Sequence, residues 1–130
     1  MSYQSKDNVI YELMSVEVDY TKYVFELLIT NKSDKPQIPF ITLYTRFPEE
    51  EITSLNKYSI DEIKSNERAI LKIEIDLLFY ANMDDYDPDS ETFMTPYLNP
   101  GIYEFYIGDD ENMELIYKFS YDSKIIFKYE

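Results

Sequence analysis

Carboxylates are the one side-chain class that this sequence supplies in enough number, and at close enough spacing, to suggest chemistry. Three clusters stand out: Glu49-Glu50-Glu51; Asp84, Asp85, Asp87, Asp89 and Glu91; and Asp109-Asp110-Glu111. Calcium binding is the first use to weigh. Asp85, Asp87 and Asp89 have the one-three-five spacing that opens an EF-hand loop. Ser90, however, stands where the sharp turn needs glycine, and Pro96 where the bidentate glutamate belongs. That leaves an irregular calcium site or a solvated acidic loop. Glycoside hydrolysis is the second use, and it needs two carboxyls about 5–10 Å apart across a cleft. With 26 acidic residues, some pair meets that distance by chance, and nothing singles one out. The third use is a negative surface that speeds encounter with a basic partner.

Missing side chains narrow the chemistry further. The 130 residues include no Cys, no His and no Trp, and only two Gly. Without Cys there is no disulfide, no thiolate nucleophile and no zinc site of the cysteine type. Without His the commonest general base and transition-metal ligand are gone, and a Ser-His-Asp triad cannot be built. Gly101 and Gly108 are too few for a glycine-rich phosphate loop. Arg46 and Arg68 are the only arginines, so bidentate phosphate clamps are scarce. No cofactor is expected. The 12 basic and 26 acidic residues give a net charge of −14. That opposes direct nucleic-acid binding, because duplex affinity comes largely from neutralised phosphates. No apolar run approaches the roughly 18–20 residues of a membrane span. Residues 1–9 lack the basic start and apolar stretch of a signal peptide. The expectation is a cytoplasmic protein with no membrane partner.

Strands must position these carboxylates, because period-two alternation dominates the chain. Leu71, Ile73, Ile75, Leu77 and Phe79 fall on one face, opposite Lys72, Glu74 and Asp76. Met113, Leu115, Tyr117, Phe119 and Tyr121 align opposite Glu114, Ile116, Lys118 and Ser120, and Tyr103, Phe105 and Ile107 repeat the pattern. Tyr23, Phe25, Leu27 and Ile29 form one set while Val24 and Leu28 flank Glu26, as in a central strand partly covered on both faces. Residues 9–20 and 38–47 also read as strands. Near the C-terminus, Ile125, Phe127 and Tyr129 oppose Lys124, Ile126 and Lys128, and the two lysines read as edge protection. Turn residues separate these runs, with a hairpin loop at Gly108-Asp109-Asp110-Glu111-Asn112 and a tighter one at Asp122-Ser123. Pro48-Glu49-Glu50-Glu51-Ile52 predicts the start of a short helix, and residues 55–60 a short edge strand. Residues 81–99 are the longest irregular stretch, a length common in functional loops.

Seven or eight strands with short turns, and no helical pattern of ten residues, predict an all-β fold with antiparallel pairing. At this length roughly two thirds of the chain's surface is buried on folding, enough for one core. A two-sheet sandwich leads, with a barrel as the alternative. Two stretches carry a family resemblance. Leu27-Leu28-Ile29-Thr30-Asn31 followed by Lys32-Ser33-Asp34-Lys35-Pro36 resembles the early turn of many bacterial immunoglobulin-like sandwiches. Asn99-Pro100-Gly101-Ile102-Tyr103-Glu104-Phe105 is similar to their Pro-Gly-x-Tyr strand entry. Bacterial intracellular proteinase inhibitors and cell-adhesion-related bacterial domains look like this. The resemblance implies an antiparallel immunoglobulin-like β-sandwich of seven or eight strands, one domain over residues 1–130. It assigns no active residues.

Loops of an antiparallel chain alternate between the two ends. If residues 55–60 are a strand, Glu49, Glu50 and Glu51 share one end with Asp84, Asp85, Asp87, Asp89 and Glu91. Asp109-Asp110-Glu111 then lies at the other. The result is an acidic pole with Tyr86, Phe93 and Tyr97 as aromatic anchors. The 14 Tyr and 8 Phe either fill the core of a β-rich chain or form an exposed binding surface. The expected function is a non-enzymatic acidic binding protein, of the immunity or inhibitor type. It would dock on and block a basic protein partner such as a toxin, a nuclease or another nucleic-acid-binding protein. One alternative is a phage anti-defence protein that mimics nucleic acid, its carboxylates standing in for phosphates. Another is a structural or assembly module whose edge strand receives a partner strand. General solubility accounts for an acidic surface equally well.

Overall fold

A computed structural model describes residues 2–83, 96–109 and 111–126. The alternating segments become strands: β1 Ser2–Gln4, β2 Val9–Asp19, β3 Lys22–Asn31, β4 Phe40–Arg46, β5 Thr53–Ser59, β6 Arg68–Asp76, β7 Asn82–Met83, β8 Pro96–Leu98, β9 Gly101–Gly108, β10 Met113–Tyr121 and β11 Ile125–Ile126. They build two four-stranded sheets, ordered β1-β2-β3-β6 and β10-β9-β4-β5, and a small sheet ordered β11-β8-β7. All the pairings are antiparallel. The seven long strands match the expected number, and four short ones of two or three residues add to it. Among the described residues no helix is long and apolar enough to cross a membrane.

Alternation decides which side chains meet between the large sheets. Phe25, Leu27 and Ile29 of β3, Ile73 of β6, Leu43 of β4, and Phe105 and Ile107 of β9 are fully buried there. Each such burial stabilises by about 1.5–3 kcal/mol relative to exposure. Most described tyrosines are core or rim residues as well: Tyr3, Tyr11, Tyr23, Tyr44 and Tyr103 are buried, while Tyr20 and Tyr80 are exposed.

The connections at one end are fastened by Asn31, which has no solvent exposure. Its Nδ2 donates to the Lys35 and Ile63 carbonyls at 2.9 and 2.8 Å, and its Oδ1 accepts from the Ser33 N–H and hydroxyl at 2.9 and 2.6 Å. One side chain thus satisfies the backbone of the loops after β3 and after β5, at the Thr-Asn-Lys-Ser stretch that carries part of the family resemblance. The β9–β10 hairpin lies at the same end, where the Tyr3 hydroxyl donates to Asp109 at 3.0 Å. Gly108 is required in that hairpin, because a Cβ there would lie 2.1 Å from the Asn112 carbonyl oxygen.

Four expectations are corrected. The Leu71-to-Phe79 strand stops at Asp76, whose side chain accepts the Leu78 N–H and starts a 3-10 turn over Leu77–Tyr80. The period-two pattern continues past that point, yet Leu77 is buried and Phe79 is 82% exposed. In β10 a bulge between Leu115 and Tyr117 buries Ile116 and leaves Leu115 exposed, because an extra residue reverses the phase of alternation. After Asp122-Ser123 the chain does not pair back on β10. Instead β11 pairs with β8, so Lys124 precedes a strand of the small sheet, and Lys128 lies outside the described residues. Finally, no helix starts at Pro48. Residues 47–50 make a β-turn closed by the Glu50 N–H on the Phe47 carbonyl at 3.0 Å, with Glu49 at φ 65°. Proline fits the second position of such a turn as well as the first turn of a helix, because both need φ near −65°.

Candidate functional site

The end opposite Asn31 gathers exposed acidic and aromatic side chains with few cations among them. Among the described residues five connections meet there: the β2–β3 turn, the turn after β4, the 3-10 turn after β6, the β8–β9 link and the β10–β11 link. Residues 53–59 form β5, as expected, so two strands return the chain to this end after Glu51. Glu49, Glu50 and Glu51 are exposed on the turn after β4. Asp19, Asp76 and Asp122 add carboxylates, against Lys22 and Lys124. Asp109 and Glu111 lie at the far end, where lysines intersperse and Lys6 pairs with Glu111.

The base of this end is an aromatic stack. The Phe119 ring lies between Tyr23, at 4.6 Å and 18°, and Tyr103, at 5.1 Å and 3°. The Tyr23 and Tyr121 hydroxyls are hydrogen-bonded at 3.0 Å. Burial, then the bond to Tyr121, raises the Tyr23 pKa above the ordinary tyrosine value; burial also raises that of Tyr121, where the bond to Tyr23 opposes it. Burial, then Tyr121 and the Glu50 carboxylate, push the Tyr103 hydroxyl up to about 12. Phe47 rests on Tyr103 at 5.4 Å and meets Tyr80 at 6.2 Å. The acidic turn is therefore held from below by Phe47. It is held from the side by Gly101, where a Cβ would come to 3.0 Å from Pro48. The crevice under it, lined by Phe47, Glu50, Tyr80 and Tyr103, has a volume of about 20 Å³, room for about one water.

Two of its exposed side chains sit on unfavourable backbone. Tyr20 has φ 58° and Glu49 has φ 65°; among the described residues the other non-glycine residues with positive φ are Asn8 and Asn66. Asparagine tolerates the left-handed region, whereas for Tyr and Glu it costs about 1–2 kcal/mol. Tyr20 occupies the first position of the two-residue β2–β3 hairpin loop, where glycine is favoured, and it is 67% exposed. Both positions keep a large polar or aromatic group facing out where glycine would relax the turn.

Of the residues singled out from sequence, Glu49, Glu50 and Glu51 are described and lie together. Tyr97 is half-buried in β8, with the Lys124 ammonium 3.8 Å from its ring centroid, and so is no protruding anchor. Asp84, Asp85, Tyr86, Asp87, Asp89, Glu91 and Phe93 lie outside the described residues, and the calcium reading of Asp85, Asp87 and Asp89 lies there with them. The strands that bracket that segment, β7 and β8, pair with each other beside the 3-10 turn. Among the described residues no group of three acids is placed to hold a metal ion, and no carboxylate is buried. Tyr20 and Phe79 were missed by sequence reasoning. Phe79 sits in phase with a core face, and Tyr20 carries only the weak signal of an aromatic in a two-residue turn.

No protein-family model matches the sequence, and no curated protein matches it. Solved structures do match in shape. A beta-glucosidase 3B from Thermotoga neapolitana, in complex with glucose, has a TM-score of 0.73 at 17% identity, over 95% of this chain and 17% of that chain. A beta-glucosidase from Kluyveromyces marxianus gives 0.69 at 12% identity, over 94% of this chain and 15% of that one. A beta-glucosidase from Listeria innocua, in complex with gluconolactone, gives 0.66 at 13% identity, over 90% and 16%. This chain thus spans about one sixth of the length of those enzymes. At these identities the likeness shows the fold alone: an antiparallel, immunoglobulin-like β-sandwich.

Proposed function

We propose that this chain is a non-enzymatic binding protein whose acidic, aromatic end docks on a basic protein surface and blocks it, as an immunity protein or an inhibitor does, acting in the cytoplasm. One observation carries the reading. Tyr20 and Glu49 hold exposed side chains on left-handed backbone at the same end, and strain of this kind clusters at functional sites. Exposed aromatics supply burial on docking, and carboxylates supply steering and pairing with Arg or Lys. The net charge of −14 favours fast encounter with a basic partner. The resemblance of residues 27–36 and 99–105 to bacterial intracellular proteinase inhibitors fits the same reading. Its test is a pull-down from the native host and its competitors at two salt concentrations. The expected catch is a basic protein whose retention falls steeply as salt rises, and retention indifferent to salt would contradict the reading.

A second reading is a structural module of a larger assembly. It is favoured by the likeness to parts of beta-glucosidases, in which the matching region is about one sixth of each chain. A module of that kind binds with weak salt dependence, so the same pull-down separates the two.

A further inference from the structure

We infer that the open edge of β6 is a strand-acceptor site, which takes an extended basic segment of a partner protein as a fifth strand of the β1-β2-β3-β6 sheet. The two large sheets have four edges: β1, β6, β10 and β5. Sheet proteins blunt exposed edges with short strands, bulges, proline or lysine. β1 is three residues long. β5 is broken by a register shift that leaves Leu55 as an extra residue, and it carries Lys57. β10 is broken by the bulge at Ile116 and carries Lys118. β6 carries a lysine too, Lys72, but differs from all three in combining length with continuity. It runs nine residues without proline, in unbroken register with β3 from Thr30↔Arg68 to Lys22↔Asp76. Among the described residues no strand pairs with its outer side. Alternate N–H and C=O groups along that side therefore face outward, as at any terminal strand.

The edge also has a place for side chains at each end. Beside its start is a hollow of about 440 Å³, where Ile60, Ile63 and Ala69 are rimmed by Asp61, Glu62 and Glu67, against one cation, Arg68. Beside its end is a hollow of about 310 Å³, where Ile75 and Phe79 are rimmed by Asp76 and by Glu74, which pairs with Lys22 at 3.8 Å. Ala69 and Ile75 are about 20 Å apart along the strand, so a segment of about seven residues spans both hollows. In strand addition the main-chain hydrogen bonds give affinity, and pockets for alternate side chains give specificity. Acidic rims at both ends select Lys or Arg near the ends of the incoming strand, with apolar residues between. A second copy of this chain fits poorly, because each copy carries a charge of −14 and the acidic rims would face one another. The inference holds whether the chain acts alone or within a larger assembly, and it does not use the turn that carries Glu49.

The test is hydrogen exchange on the full chain, read by mass spectrometry, with a synthetic seven-residue peptide that alternates valine and threonine between terminal lysines. At millimolar peptide, exchange across Arg68–Asp76 slows at least fivefold while β5 and β10 stay unchanged. The same peptide with terminal glutamates needs at least tenfold more for equal protection. A version N-methylated at alternate residues, which cannot complete the ladder, gives none. The inference is overturned if β6 is not protected, if the N-methylated peptide protects it equally, or if β5 or β10 is protected to the same degree. It is also overturned if β6 protection without peptide grows with protein concentration, which would assign the edge to a second copy.

Discussion

The Thr21 hydroxyl donates to Asp76 Oδ1 over 2.9 Å, and the same oxygen accepts the Leu78 N–H at 3.0 Å. The Leu77 N–H adds a bond to the Thr21 carbonyl at 2.9 Å. One carboxylate thus fixes both the hairpin turn that carries Tyr20 and the 3-10 turn that carries Phe79. Loss of such a cap costs about 1–2 kcal/mol. Asp76→Ala should therefore lower the urea midpoint and weaken partner binding, whereas Thr21→Val, which spares the cap on Leu78, should cost about half as much. Equal effects from both would show that the cap adds nothing beyond the Thr21 bond.

Asn31→Asp is the sharpest test of the opposite end. The substitution keeps the shape but replaces Nδ2, which donates to the Lys35 and Ile63 carbonyls, with an oxygen. A buried carboxylate oxygen then faces two carbonyls without a proton to share. The expected loss is about 3 kcal/mol or more at neutral pH, partly recovered as the pH falls and the carboxyl protonates. Equilibrium denaturation at pH 7 and pH 4 measures it.

The same contrast shows which parts of the fold could be read from sequence. The alternation in Tyr23, Phe25, Leu27 and Ile29 names a buried face directly, because nothing in β3 disturbs its period. Leu77 and Phe79 continue such a period, yet only Leu77 is buried. The Asp76 cap that ends the strand is a side-chain bond that periodicity does not register. Ile116 departs from the alternation for a similar reason: the bulge reverses the phase of the residues before it, while Tyr117, Phe119 and Tyr121 after it pack against the core as the period predicts. The acidic turn was legible as residues but not as geometry: Pro48 suits a helix start or a β-turn, and Glu49 stands where a glycine would have announced the turn.

Glu49→Gly should raise stability, because glycine relieves the left-handed backbone and returns part of the gain as unfolded-state entropy. The net effect is about 0.5–1 kcal/mol, with a matching drop in partner affinity. Asn66→Gly is the control and should change stability by less. Chemical denaturation beside a binding titration reads both, and a Glu49→Gly protein no more stable than the parent would remove the strain.

Alkaline pH should unfold this protein cooperatively. Burial pushes Tyr11 and Tyr103 up to about 12 and raises Tyr3 and Tyr23 further still. These shifts favour the neutral hydroxyl in the native state, so their stabilisation is whole below the ordinary tyrosine value of about 10. Above it the unfolded chain loses protons that the native chain keeps, and stability falls as the pH rises through the folded values. Absorbance at 295 nm should show the exposed tyrosines ionising first and the buried set ionising together with loss of structure. A single smooth titration near pH 10 would contradict the packing described above.

Docking through the acidic end is tested most directly by association kinetics with the captured basic partner. The wild-type chain is compared with Glu49→Gln, Glu50→Gln and Glu51→Gln combined, at low and high salt. The predicted result is an association rate at low salt several-fold slower in the variant, with a shallower salt dependence, and a dissociation rate little changed. Association rates that coincide at both salt concentrations would contradict the claim.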